Sequence, residues 1–305
     1  MGQLNKPDWR SPAACLMGLA LATTLAGCGS TGGTGTAGAT TSATSAGRSS
    51  APTGTAATST SGKKGSVPVY WLGESRRTFA LYREFRAVPD KGGPVSSAVS
   101  AMMTLQPLDP DYLTPWRHPS RVAASQTGDV ITVDLSADAF ANNQVGSELA
   151  ERAIQQLVYT ATAAAQQSGA SARSVKILVD GGAFDAWGAV QLGKAMSRAP
   201  MTAVQAHTWV TSPQEGEVLS AGIATFKGFG TSFEANFLWQ IRDGANTVVA
   251  KGFATGGGGD GTFGELTFTA PLKAGTYSVK VSDDDASGGA EGPGAATDDK
   301  SFTVR

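Results

Sequence analysis

Few residues in this 305-residue chain could do covalent or acid–base chemistry. There are two cysteines, Cys15 and Cys28, and two histidines, His118 and His207. Two thiols exclude a disulfide-dense scaffold and a four-cysteine zinc site. His118 sits between Arg117 and Pro119, and His207 lies at a change of composition. Neither has a neighbouring motif that would place a general base beside its target. Carboxylate pairs such as Asp109 with Asp111 lack the framing of a glycosidase. Gly256–Gly259 with Asp260 lacks the helix and lysine that a phosphate-binding loop requires. Near the C-terminus, Asp283, Asp284, Asp285, Glu291, Asp298 and Asp299 flank a Gly/Ala loop. Gathered carboxylates are the hard oxygen ligands that calcium takes. Their spacing fits no calcium loop, so solvated turns are expected, and calcium at Asp283–Asp285 stays an open alternative. The expectation is no catalytic residue, no metal and no cofactor.

Cys28 is the residue whose surroundings do suggest covalent chemistry. Lys6 and Arg10 form a short basic segment, followed by an apolar run from about Ala13 to Leu25. That run is too short to cross ~30 Å of hydrocarbon, and it has the charge order of a secretory signal. It ends in Leu25-Ala26-Gly27-Cys28, which resembles the lipobox of lipoprotein signal peptides. The resemblance implies a diacylglycerol on the Cys28 sulfur and cleavage after Gly27. Residues 1–27 would then be removed, and the protein would be lipid-anchored at the cell membrane on its extracytoplasmic face. The rival reading is a plain signal peptide with an incidental cysteine. Loss of Cys15 and acylation of Cys28 leave no thiol, so the exported domains must fold on apolar burial alone.

Residues 28–66 are almost entirely Gly, Ser, Thr and Ala, without apolar period. Such a segment cannot bury enough surface to offset chain entropy, so a disordered tether is expected. A flexible chain of this length spans ~30–35 Å root-mean-square. Only 16% of all residues are charged and the net charge is −1. A nucleic-acid binder needs a basic footprint that this chain lacks.

The elements that could carry function begin at residue 67. Val67–Leu72 and Phe79–Val88 read as strands. Gly93-Pro94 starts a helix with proline in its first turn and Val95, Ala98, Val99, Met102 and Met103 on one face. Pro107, Pro110, Pro115 and Pro119 mark a loop with Tyr112, Leu113 and Trp116 as buried anchors. A hairpin over 121–135 follows. Ser147-Glu148 reads as the cap of a long helix with an Ala150, Ile154, Leu157, Val158, Ala161, Ala165 stripe closed by Gly169. Ser174–Gly181 is a further strand. The order β-β-α-β-β-α-β predicts an α+β layer over residues 67–199, with two helices on one sheet.

Val69-Tyr70-Trp71, Leu113-Thr114-Pro115-Trp116, Val130–Leu135 running into Ser136–Phe140, Gln156–Thr162 and Val175–Gly181 together resemble the sporulation and spore germination (GerMN) domain. That family brings no catalytic residues to carry over. Trp71, Trp116, Tyr159 and Trp187 read as core or loop pins. The competing reading makes Trp116, Phe184 and Trp187 an aromatic platform for a ligand.

From residue 204 to 305 the helical pattern stops and short strands follow one another. The strongest alternation places Phe233, Ala235, Phe237, Trp239 and Ile241 on one face. About seven strands with turn signals between them argue for a β-sandwich. Thr211–Val218, Phe233–Asn236 and the Gly-rich loop before Phe263 resemble the immunoglobulin-like domain of bacterial spore germination proteins. The expectation is therefore a non-catalytic lipoprotein whose two domains contact an envelope protein or peptidoglycan. The family names imply a link to sporulation or germination. The alternative is a module binding wall glycan or a small ligand through aromatics.

Overall fold

The structure is a computed structural model, described here over residues 65–284 and 294–305. The expected signal peptide, Cys28 and nearly all of the expected tether lie outside the described residues, as do Asp285 and Glu291.

The first half begins with two long strands, β1 (Gly65–Ser75) and β2 (Thr78–Val88), then α1 (Pro94–Thr104) and the short β3 (Tyr112–Leu113). A second run holds β4 (Val122–Thr127), β5 (Val130–Leu135), a 3₁₀ turn at Ala137–Phe140, α2 (Ser147–Gln167) and β6 (Ser174–Val179). The hairpin β7 (Asp185–Ala186) with β8 (Val190–Gln191), then β9 (Ala195–Ser197) and α3 (Met201–Val204), lead to the second half.

The order of long elements is the expected one, but they form two sheets, not one: β2-β1-β3 and β4-β5-β6-β9. The four prolines explain the split, because proline cannot donate to a ladder. Between Pro107 and Pro119 only Tyr112 and Leu113 pair, opposite Gly73 and Leu72 of β1. Within that strand Tyr112 is buried and Leu113 is exposed, contrary to its expected anchoring role. Strands β5 and β6 run parallel and are joined through α2, as a parallel pair requires a crossover. Both long helices contact β1 and one strand of the second sheet, so one apolar core serves both sheets.

Two details of α2 differ from expectation. Its N-cap is Gly146, and Ser147 is already helical, with no side-chain cap. Its buried polar residues complete β1 where no strand lies alongside. Thr160 Oγ1 accepts from the Tyr70 N–H at 3.1 Å, and Gln156 Nε2 donates to the Tyr70 carbonyl at 2.9 Å. Leaving those two backbone groups unpaired inside the core would cost about 1–3 kcal/mol each.

The second half is a sandwich of β10 (Thr208–Ser212), β11 (Glu217–Leu219), β12 (Gly222–Gly230), β13 (Asn236–Asp243), β14 (Val248–Thr255), β15 (Gly264–Leu272), β16 (Gly275–Asp283) and β17 (Thr297–Val304). Its sheets are β10-β12-β15 and β11-β17-β16-β13-β14. Phe226, Phe237, Ile241, Leu266, Val279, Val281 and Phe302 fill the space between them. The alternation in β13 starts later than expected. Ala235 has φ of +56° and closes a turn onto the Ser232 carbonyl, so Phe233 is thrown out into solvent.

Candidate functional site

The densest chemistry lies where the two halves meet. The first sandwich strand sends Trp209 into the core of the α+β half, where it is fully buried beside Ala206. The chain also pairs there: the Ala206 N–H donates to the Leu81 carbonyl at 3.1 Å, and the Phe85 N–H to Gln214 Oε1 at 2.8 Å.

Beside Trp209 sits a buried cluster of ionisable side chains. Lys300 of β17 pairs with Asp109, from the loop before β3, and with both oxygens of Asp298 at 3.0 and 2.9 Å. The Tyr112 hydroxyl lies 2.7 Å from Lys300 Nζ and donates to Asp298 Oδ1 at 2.7 Å. Asp298 Oδ2 accepts from the Val210 N–H at 2.7 Å. Glu84, also buried, accepts from the Leu108 and Asp109 N–H groups at 2.9 and 3.0 Å, which fixes the loop carrying Asp109.

Sequence order explains who can reach whom. Along β17 Asp298 and Lys300 alternate with exposed Thr297 and Asp299, so both face inward, toward the other domain. Tyr112 stacks on Tyr82 with ring centroids 4.5 Å apart. That stack lies against Gly73, where an added Cβ would meet Tyr82 at 2.8 Å and Tyr112 at 3.0 Å.

Burial and close pairing displace these groups from their ordinary pKa values. It pushes Asp298 up to about 6, against the pull of Lys300, the Val210 N–H and Tyr112. Burial works to lower the Lys300 ammonium, but Asp298 and Asp109 outweigh it and hold its pKa above the usual lysine value. Burial also raises the Tyr112 phenol well above the ordinary range, with Asp298 adding to it.

A second contact lies at the β1–β2 turn. Arg76 pairs with the buried Asp283 and donates to His207 Nδ1 at 2.8 Å. An arginine donor on Nδ1 requires neutral His207 with its proton on Nε2. Burial, then Arg76, hold the His207 pKa below 6.5. Arg76 and Arg77 have φ of +49° and +67°. Such a hairpin turn favours Asn or Gly, since each L-residue in this region costs roughly 1–2 kcal/mol. The contacts to Asp283 and His207 hold this strained turn in place.

Several expectations are thereby corrected. Asp283 and Asp298 are not in solvated turns; they are buried and pair with basic residues. Asp109 and His207 have partners that sequence neighbours did not reveal. A signal existed: Asp298-Asp299-Lys300 sits within an alternating strand, so Asp298 and Lys300 share a face with the core residue Phe302. Among the described residues no group of three or more His, Cys, Asp or Glu could hold a metal ion. No described helix is long and apolar enough to cross a membrane.

The aromatic candidates are brought together. Trp116 is buried, while Phe184 and Trp187 are half-buried. With Phe140 they form one cluster, Trp116 meeting Trp187 edge-on at 5.0 Å and Phe140 meeting Phe184 at 4.8 Å. Much of their ring surface is covered by one another. Trp187 adopts φ of +51°, and its buried indole N–H has no partner.

Comparison with known proteins agrees with this architecture. Residues 68–184 match the family model described as sporulation and spore germination, and residues 207–290 match that of the immunoglobulin-like domain of bacterial spore germination. No curated protein matches the sequence. Among solved structures, an engineered protein is 18% identical over 37% of this chain and 22% of its own, with a TM-score of 0.27. CopC from Methylosinus trichosporium OB3b is 26% identical over 32% of this chain and 93% of its own, with a TM-score of 0.24. Fibronectin(III)-like modules of Clostridium thermocellum CbhA are 11% identical over 32% and 95%, with a TM-score of 0.23. The chain thus joins a sporulation and spore germination domain to an immunoglobulin-like domain of bacterial spore germination.

Proposed function

We propose that this protein is a non-catalytic lipoprotein, held by a lipid on Cys28 at the extracytoplasmic face of the cell membrane, that presents two interaction domains to an envelope protein or to peptidoglycan. The observation that carries the reading is the charge cluster between the domains. Perturbed ionisable groups commonly mark active sites. Here burial displaces Asp298 and Tyr112, the neighbouring carboxylates displace Lys300, and the three saturate one another, which is the behaviour of a structural clamp. A clamp gives two surfaces a fixed relative orientation, as a scaffold for a partner needs.

Lipidation is tested by intact mass and membrane fractionation of the native protein and a Cys28→Ala variant. A lipid-sized mass difference and release of the variant are expected; equal masses would remove the anchor. The reading as a binding module for wall glycan draws on Trp187, whose left-handed backbone is unusual for so bulky a residue. Binding of the protein to purified wall polymer, lost in Trp187→Ala while the fold persists, would favour it.

A further inference from the structure

We infer that the open edge of the sandwich at β14 receives an extended acidic segment of a partner protein, added as a further strand. The inference rests on the proposed role of these domains as interaction surfaces, and it names where and with what chemistry. In the five-stranded sheet β14 pairs only with β13 among the described residues, so its other edge carries backbone groups without a described strand partner. Such an edge is a template for an incoming strand.

The side chains beside that edge are unusual for a solvent face. Phe253 is 73% exposed and stands directly opposite Leu238, 45% exposed, so the two form one apolar pair on the outer surface. The next outward-facing row holds Lys251, Gln240 and Lys280, and a groove of about 480 Å³ runs between the rows. Arg242 follows on the same face. None of these three cations makes an ion pair among the described residues, and only Lys280 stands opposite a carboxylate, Asp299. The face therefore offers an apolar pocket wall and, at Lys251 and Arg242, positive charge with no carboxylate opposite, beside a free backbone ladder.

Charge decides the occupant. If β14 paired with a second copy of itself, Lys251 near the middle of the strand would approach its own counterpart, and like charges facing each other oppose that pairing. An acidic strand neutralises them. Residues two apart on the outward face of the incoming strand, one apolar and the next on that face acidic, would set one side chain against Phe253 and Leu238 and the other against Lys251. An anionic polymer without apolar groups would leave Phe253 and Leu238 exposed.

The test uses the full chain, isotope-labelled, and a synthetic peptide repeating valine-threonine-glutamate-threonine, which places valine and glutamate in turn on one face, followed by backbone NMR and amide exchange. Shifts and slowed exchange confined to Val248–Thr255 and its neighbours are expected. Phe253→Ser and Lys251→Glu should each weaken binding by about tenfold, and added salt should weaken it further. Four results would overturn the inference: no response in β14; equal binding of the same peptide with lysine in place of glutamate; shifts that instead follow protein concentration, which mean self-pairing; or polyphosphate perturbing the same residues with no effect of Phe253→Ser, which means an anion surface only. This titration does not depend on Cys28, so its failure is separable from failure of the anchor.

Discussion

Lys300 and Asp109 lie 191 positions apart and form a buried ion pair that ties the last strand of the sandwich to the α+β domain. Replacing Lys300 by Met would leave Asp109 and Asp298 buried without their cation. Breaking a buried pair from one side costs about 3–5 kcal/mol. Urea denaturation of Lys300→Met should show that loss, with faster proteolysis between residues 194 and 206 as the domains part. An unchanged midpoint would mean the cluster does not join them.

Stability should depend on pH through Asp298. Burial raises its folded pKa from 3.8 to about 6, so the folded carboxyl holds a proton that the unfolded one has released. Its stabilising contribution is therefore complete below 3.8 and is lost as pH rises through about 6. A displacement of this size corresponds to roughly 3 kcal/mol. His207 acts oppositely, contributing above 6.5 and losing that contribution as pH falls through its lowered value. The measurement is the difference between the native protein and Asp298→Asn from pH 4 to 7. The native protein should lose stability relative to the variant across that range, and a flat difference would contradict the assignment.

Trp209→Ala should cost about 3–5 kcal/mol, the usual range for a fully buried aromatic. Since Trp209 comes from the sandwich but packs in the other core, the loss should appear in the melting of both domains. Calorimetry checks this: a loss confined to the sandwich would show that the two cores are not coupled.

The β1–β2 turn separates backbone strain from pairing. Arg77→Gly relieves a left-handed residue and should stabilise by about 1 kcal/mol. Arg76→Gly gives the same relief but removes the guanidinium from Asp283 and His207, so it should destabilise. Thermal melts of the two variants should move in opposite directions.

Trp187→Ala should destabilise by about 2 kcal/mol, since a half-buried ring leaves its contacts with Trp116 and Phe140. Trp187→Gly should recover part of that through its backbone freedom. Chemical denaturation of both variants checks the ordering.

The domain types were legible because they depend on local periodicity. The 3.6-residue stripe of α2, Pro94 at the start of α1 and the two-residue alternation of β13 and β17 are written within short windows. The division of the first domain into two sheets was foreshadowed by four prolines but not deducible from them, because pairing partners are chosen across the core. Phe233 misled because Ala235, an ordinary residue by type, takes a left-handed conformation that only its turn context imposes.

Residue order and local periodicity were enough to set the succession of the long helices and strands and the two domain types. That Asp109, Tyr112, Asp298 and Lys300 meet, and that Trp209 belongs to the core of the other domain, depends on packing across long stretches of chain. A carboxylate in a turn and a carboxylate in a buried clamp look alike in a string of letters. The difference lies in how much water the fold removes and which distant cation it brings within reach.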